Sequence, residues 1–160
     1  GGVQINLRNI AEVEQAINVM AALPAIRDAR VDGYLIEEMA PAGQEVVVGA
    51  VRDADFGPMV MVGLGGIFVE VLADVAFRIC PITRLDATEM LAELKGAALL
   101  DGARGRKPVA RDAIIDVLLK IGGEDGLLMR HADDFREADI NPLIVSESAA
   151  VAVDARFVLS

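Results

Sequence analysis

The closing run of the chain, EADINPLIVSESAAVAVDARFVLS from Glu137 to Ser160, alternates like a β-strand yet carries an Asp, an Asn and a Pro at its centre. Successive strand side chains point to opposite faces. Ile140, Pro142 and Ile144 therefore fall on one side, and Asp139, Asn141, Leu143 and Val145 on the other. Ser146-Glu147-Ser148 is turn chemistry, and AVAVDA from Ala150 to Ala155 returns as a second strand. A four-residue loop, Ser146 to Ala149, closes the hairpin with Val145 opposite Ala150. That register sets Asn141 opposite Asp154, and Asp139 opposite Arg156. Directly opposed residues hold their Cβ atoms about 5 Å apart. An amide oxygen and a carboxylate at that spacing can share one cation, and Mg²⁺ takes oxygen ligands, few of them from protein. A plain surface hairpin, with Asp139 paired to Arg156 and the other two solvated, fits the same register. The hairpin alone leaves both readings open.

Composition narrows the choice of partner. The 160 residues suit one domain of ordinary size with a real core. Hydrophobic content is 54% and mean hydropathy +0.44, yet the longest uncharged stretch, Phe56 to Val69, is too short to cross a bilayer. A net charge of −10, from 25 acidic and 15 basic side chains, argues against nucleic acid or an anionic membrane as partner. Five Phe, one Tyr and no Trp provide no stacking platform for bases. The start, GGVQINLRN, lacks a Met and has neither a basic region nor an apolar segment behind it, as expected of a processed or excised piece without a signal peptide. The single cysteine, Cys80 in FRICPIT, cannot form an internal disulfide, which fits a reducing cytoplasm; its apolar neighbours suggest a buried structural thiol. The lone His131 has no second His or Cys nearby, so zinc is not expected.

Along the chain, Asn9 with Glu12 looks like a capping box, and Ile10, Val13, Ile17 and Met20 repeat at helical spacing, so a helix is expected from Ile10 to Leu23, ending at Pro24. DGYLIEEM, QEVVVGAVRD, MVMVGL, IFVEVL and VAFRI read as strands, with turns at Pro41-Ala42-Gly43 and Gly65-Gly66. Thr83 with Asp86 opens a second helix with Ala87, Met90, Leu91 and Leu94 inward. A third runs from Ala110 to Ile121 with Ile114, Val117, Leu118 and Ile121 inward, stopped by Gly122-Gly123. Strands come as hairpins, with helices between groups, so the fold class is α+β with a mostly antiparallel sheet flanked by helices.

Two motifs bear on chemistry. GLGGIFVE, Gly63 to Glu70, lacks the third glycine and the following helix of a dinucleotide fingerprint, and lacks the Lys-Ser or Lys-Thr of a phosphate-binding loop. It reads either as a tight connection needing positive φ at Gly65 or Gly66, or as backbone brought close to phosphate. LIEEMAPAGQEVVVG places Glu37, Glu38 and Glu45 around a turn, where acids are solvated or accept hydrogen bonds from ribose hydroxyls.

Taken in order, LIEEMAPAGQEVVVGAVRDADFGPMVMVGLGGIFVEVLADVAFRICPIT, LKGAALLDGARG and DINPLIV…AVAVDAR resemble the ATP-grasp domain of nucleoside-diphosphate-forming acyl-CoA synthetases, of which the ADP-forming acetyl-CoA synthetase is the type and the succinyl-CoA synthetase β chain a distant relative. The resemblance implies a domain that holds ATP and Mg²⁺ and passes phosphoryl between ATP and a phosphohistidine, within an acid–CoA ligase. It implies that Glu37, Glu38, Met39 and Ala40 form a hinge beside adenine, that Glu37 and Glu45 contact the nucleoside, and that Gly65, Gly66 and Glu70 face the phosphates or the incoming phosphohistidine loop, with Glu70 the candidate catalytic residue. It also implies Asn141 and Asp154 as magnesium ligands, with Asp139 as a further or alternate one. In the family a lysine-bearing segment precedes GGV, so residues 1–160 are expected to be the C-terminal part of an ATP-grasp domain from a longer synthetase. Lys95, Lys107 and Lys120 do not replace that segment, and His131 is not in the phosphohistidine motif. The implied partners are CoA-binding domains, in the same chain or a separate subunit, and the oligomeric state stays open. The alternative is a non-catalytic nucleotide-sensing or assembly module, for example in a protein acetyltransferase fusion.

Overall fold

The computed structural model describes residues 1–66, 72–102, 107–131 and 134–160, without the side chain of Phe135. It forms two compact units, Gly1–Met39 and Ala40–Ser160. In the first, helix α1 spans Ile10–Ala22. The Asn9 side chain accepts the Glu12 N–H at 3.0 Å, but the Glu12 carboxylate takes the Arg8 N–H at 2.8 Å, so the reciprocal half of the capping box sits one residue upstream. Ala16 and Met20 are the buried residues of α1, while Ile10 stays exposed. Leu23 is extended, as a residue before proline should be, and Pro24 opens the short helix α2, Pro24–Arg27. DGYLIEEM, expected as a strand, is irregular: it has no ladder partner among the described residues, and Leu35 and Ile36 are exposed. Apolar, β-prone side chains do not make a strand where no neighbour satisfies the backbone.

The second unit is one sheet with helices on one face. Strands β1 (Gln44–Asp53), β2 (Gly57–Leu64), β3 (Val75–Ile79), β4 (Phe135–Val145), β5 (Ala150–Ala152) and β6 (Ala155–Leu159) pair antiparallel in the order β3-β2-β1-β4-β5, with β6 also on β4. The expected QEVVVGAVRD and VAFRI strands coincide with β1 and β3. The β1–β2 turn is held by the Asp53 carboxylate, which accepts the N–H groups of Asp55 and Phe56 and is kept below the ordinary carboxylate range by them. IFVEVL lies largely outside the described residues.

Val46, Val48, Ala50, Val60, Val62, Leu64 and Ala76 form the covered sheet face. Helix α3 (Arg84–Glu93) adds Ala87, Met90 and Leu91, followed by Leu94. Helix α4 (Arg111–Gly122) adds Ile114, Ile115, Leu118 and Ile121; a four-residue helix α5, Leu127–Arg130, follows. Val117 packs half-buried against the core on the expected face, and Ile115 is buried as well, because the covered stripe of α4 is broader than one row. Gly122 lets α4 approach the sheet: a Cβ there would sit 2.7 Å from Cys80 Sγ and 3.1 Å from Val60 Cγ1. Cys80 is the buried thiol expected, and burial pushes it up to about 11. A thiol reagent at pH 8 is therefore expected to leave the native protein unlabelled and to label it on unfolding in urea. Labelling at the free-thiol rate in the native state would contradict this packing.

Thr83 caps α3 with both halves of a capping box: its Oγ1 accepts the Asp86 N–H at 3.3 Å, and Asp86 accepts from the Thr83 N–H at 2.7 Å and hydroxyl at 2.6 Å. The hydroxyl, then the backbone of Thr83, holds the Asp86 carboxyl below its usual range. That contribution is present above the ordinary carboxylate pKa and is lost as pH falls through the depressed value. Thr83→Ala should cost about 1 kcal/mol in urea unfolding at neutral pH, with the deficit shrinking in acid; a constant deficit would rule out the Asp86 partnership.

The centre of β4 departs from simple alternation. Val48 pairs with Ile140 but Val46 pairs with Leu143, so β4 advances three residues while β1 advances two. This is a β-bulge at Asn141-Pro142, and it changes the phase of the strand. Ala138 and Ile140 point to the core before it, and Leu143 and Val145 after it. Leu143 and Val145 are thus in the core, on the face opposite Asp139, contrary to the two-face reading made from strict alternation.

Candidate functional site

The predicted hairpin register is the observed one. Val145 pairs with Ala150, Ile140 with Ala155 and Asp139 with Arg156. Between them the Asn141 N–H donates to the Asp154 carbonyl at 3.1 Å, and the Val153 N–H donates to the Pro142 carbonyl at 3.0 Å. Ser146 fixes the turn, its Oγ accepting the Ala149 N–H at 3.1 Å. The bulge against β1 therefore has its counterpart in the break between β5 and β6, at Val153-Asp154. Asn141 and Asp154 stand opposite each other at this level, and both are exposed. Arg156 lies 3.8 Å from Glu137, rather than spending its charge on Asp139 as the plain surface reading required.

The donor set fits a hard cation. An amide oxygen and a carboxylate, with a half-buried carboxylate at Asp139 two residues away, are oxygen ligands of the kind Mg²⁺ selects when water and phosphate complete its shell. Among the described residues there is no group of three or more His, Cys, Asp or Glu that could hold a metal ion. His131 Nδ1 is 2.8 Å from Asp134, an exposed pair with no second His to form a zinc site.

Glu45 and the two glycines are brought together at the mouth of the β1–β2 ladder. The Gly65 N–H donates to the Glu45 carbonyl at 2.9 Å, and a Cβ on Gly65 would lie 2.7 Å from Glu45 Cβ. Gly66, not Gly65, takes the positive φ, at +65°. Val46 points into the core, so Glu45 faces away from the helices, as does Asp139, whose neighbours Ala138 and Ile140 point inward. Ala40 is half-buried at the start of the second unit; Glu37, Glu38 and Met39 end the first, all exposed. Glu70 lies outside the described residues. Sequence reasoning passed over Asp74, which is 3% exposed; the signal available was an acid in the apolar surroundings of LADVAF.

The ATP-grasp domain family matches residues 1–159. The β subunit of ADP-forming acetate–CoA ligase I of Pyrococcus furiosus is 47% identical over 161 residues, covering 99% of this chain and 68% of the subunit. ADP-forming acetate–CoA ligase I of Archaeoglobus fulgidus is 44% identical over 164 residues, covering 99% of this chain but 23% of that protein. A Candidatus Korarchaeum cryptofilum ACD1 structure in complex with coenzyme A superposes with a TM-score of 0.87 at 39% identity, covering 98% of this chain and 67% of that one. The dinucleotide-forming acetyl-CoA synthetase 1 of the same organism, with coenzyme A and Mg-AMPPCP and its phosphohistidine segment pointing towards the nucleotide binding site, gives 0.83 at 38% identity, with 98% and 67% coverage. The chain belongs to the ATP-grasp domain family, in the branch formed by the ADP-forming acetate–CoA ligases.

Proposed function

We propose that this chain is the ATP- and Mg²⁺-binding part of an ADP-forming acid–CoA ligase, the C-terminal portion of its ATP-grasp domain, and that it serves phosphoryl transfer between ATP and a histidine carried by the CoA-binding part of the enzyme. The observation that carries this reading is the pairing of Asn141 with Asp154 across an irregular level of the hairpin, where an ordinary surface hairpin has no need of one. Asn141 and Asp154 supply oxygen donors to the cation, with Asp139 beside them. When bound, Mg²⁺ would neutralise the charge that develops on phosphoryl transfer. Glu45 accepts hydrogen bonds from ribose hydroxyls, Glu37 contacts the nucleoside, and Glu38, Met39 and Ala40 offer backbone groups to the base. Gly65 and Gly66 let the backbone approach phosphate without a side chain in the way. Glu70 is the residue assigned to the transferring group. The partners are the CoA-binding domains, and through them CoA and a small acid. Among the described residues no helix is long and apolar enough to cross a membrane.

The test is thermal unfolding of the chain, and of the full-length enzyme, with ATP, with Mg²⁺ and with both. Saturation at 100 times the dissociation constant adds about 2.7 kcal/mol. A shift requiring both ligands is expected in the full-length enzyme; a shift in residues 1–160 as well would mean that this portion is a working half-site. Indifference of the full-length enzyme to ATP with Mg²⁺ would overturn the proposal.

A further inference from the structure

Residues paired across a β-ladder share a face of the sheet. On the face turned away from α3 and α4, Asp139 pairs with Gly49, Gly49 with Met61 and Met61 with Phe77, one row running from β4 to β3. The adjoining row is Glu137, Val51, Met59 and Ile79. Val51, Phe77 and Ile79 are exposed, and Met59 and Met61 are half-buried. These five are neighbours, unlike the single apolar residues that any surface scatters. The methionines at their centre are side chains that adapt to the shape of a partner. Gly49 keeps the first row continuous: Met61 lies over it, and a Cβ there would be 3.0 Å from Met61 Cε.

The patch adjoins the candidate site on a definite side. Along this face β1 presents Glu45, Val47, Gly49 beside Asp139, and then Val51, about 20 Å from Glu45. In the nucleotide reading that order is the nucleoside contact, then the level of the cation, then the patch. An attacking group lines up with the leaving oxygen across the phosphorus, so it enters from beyond the phosphate and away from the nucleoside. The group that must arrive there is the histidine carried by the CoA-binding part of the enzyme. No charged side chain stands among the five, so the surface they fit is itself apolar.

We propose that Val51, Met59, Met61, Phe77 and Ile79 form the surface on which the histidine-bearing part of the enzyme docks while it takes phosphoryl. The proposal rests on the nucleotide reading above and adds the surface that presents the acceptor.

The experiment follows transfer of labelled phosphoryl from MgATP to histidine in the full-length enzyme. Phe77→Asp and Ile79→Asp each place a charge in the patch at an exposed position. Each is expected to slow transfer at saturating MgATP by about tenfold or more, because a charge at the centre of an apolar contact must be desolvated. Affinity for MgATP and the urea unfolding midpoint should stay at wild-type values. Phe77→Leu should keep most of the rate. Leu85→Asp, which charges an exposed apolar residue of α3, should leave transfer unchanged. Transfer within about twofold of wild type in both patch variants would overturn the proposal. A loss of MgATP affinity in step with the rate would overturn it too, making the patch a seat for the rest of the nucleotide clamp. A changed oligomeric state would overturn it by making the patch an interface between copies. A wild type that takes no phosphoryl would overturn the nucleotide reading and this one with it; an active wild type with unaffected variants would overturn this one alone.

Discussion

Asn141→Ala and Asp154→Ala in the full-length enzyme should each lower Mg²⁺-dependent phosphoryl transfer by about a hundredfold or more, since a catalytic cation stabilises transition-state charge by several kcal/mol. The fold should survive. Both side chains are exposed, and the bonds joining their strands run through the Asn141 N–H and the Asp154 carbonyl, which alanine retains. Unliganded stability is therefore expected to move by no more than about 0.5 kcal/mol, the usual range for surface positions. Raising Mg²⁺ should recover part of the activity, because the variants lose affinity for the cation before anything else. Glu147→Ala provides the comparison: Glu147 sits in the same hairpin, pairs with Lys107 at 3.0 Å on the surface, and should leave transfer unchanged. Full activity in either site variant would show that the metal is held elsewhere.

Leu118→Ala acts on the other side of the sheet. Leu118 is fully buried on α4, within the cluster that joins α3, α4 and the covered face of β1 and β2. Removing its branched end forfeits the transfer free energy and leaves a cavity that a helix packed this closely cannot collapse around. Gly122, four residues on, already brings α4 against Cys80 and Val60 with no slack. The expected loss is about 2–5 kcal/mol in urea unfolding, with an unchanged denaturant slope. A loss below about 1 kcal/mol would mean that α4 can shift to fill the space. Marginal stability makes the larger value enough to depopulate the native state at elevated temperature.

Much of this architecture was legible because local chemistry and global packing agree. Thr83 with Asp86, the QEVVVGAVRD run and the Ser146 turn each carry their own instructions, and the structure follows them. The hairpin register was readable from loop length alone, and with it the Asn141–Asp154 pairing. DGYLIEEM misled because a strand is a property of two segments, and its composition says nothing about whether a neighbour is there. The β4 core face misled because alternation assumes an unbroken ladder, whereas the shift between Val46 and Val48 is a property of β1 and β4 together. Ile115 was missed beside Val117 for a similar reason: the width of a covered stripe depends on what covers it. Asp74 was overlooked since its partners are backbone groups more than twenty positions away, which no side-chain pattern announces.

The bulge at Asn141-Pro142 also limits how this segment can change over time. Two consecutive residues there share one step of the neighbouring ladder, so the polar business of one side and the apolar phase of the other are reconciled by count, not by identity. A deletion of one residue would remove the bulge and leave Ile140 and Leu143 both on the core face, but it would shift β4 by one residue against β5 or β6 and undo the pairing at the level of Asn141 and Asp154; an insertion would shift the same pairing in the opposite direction. Exchange of one side chain for another leaves that arithmetic intact. Descendants of this chain should therefore vary here by substitution and stay constant in length, whatever happens in the turn at Glu147 a few residues away.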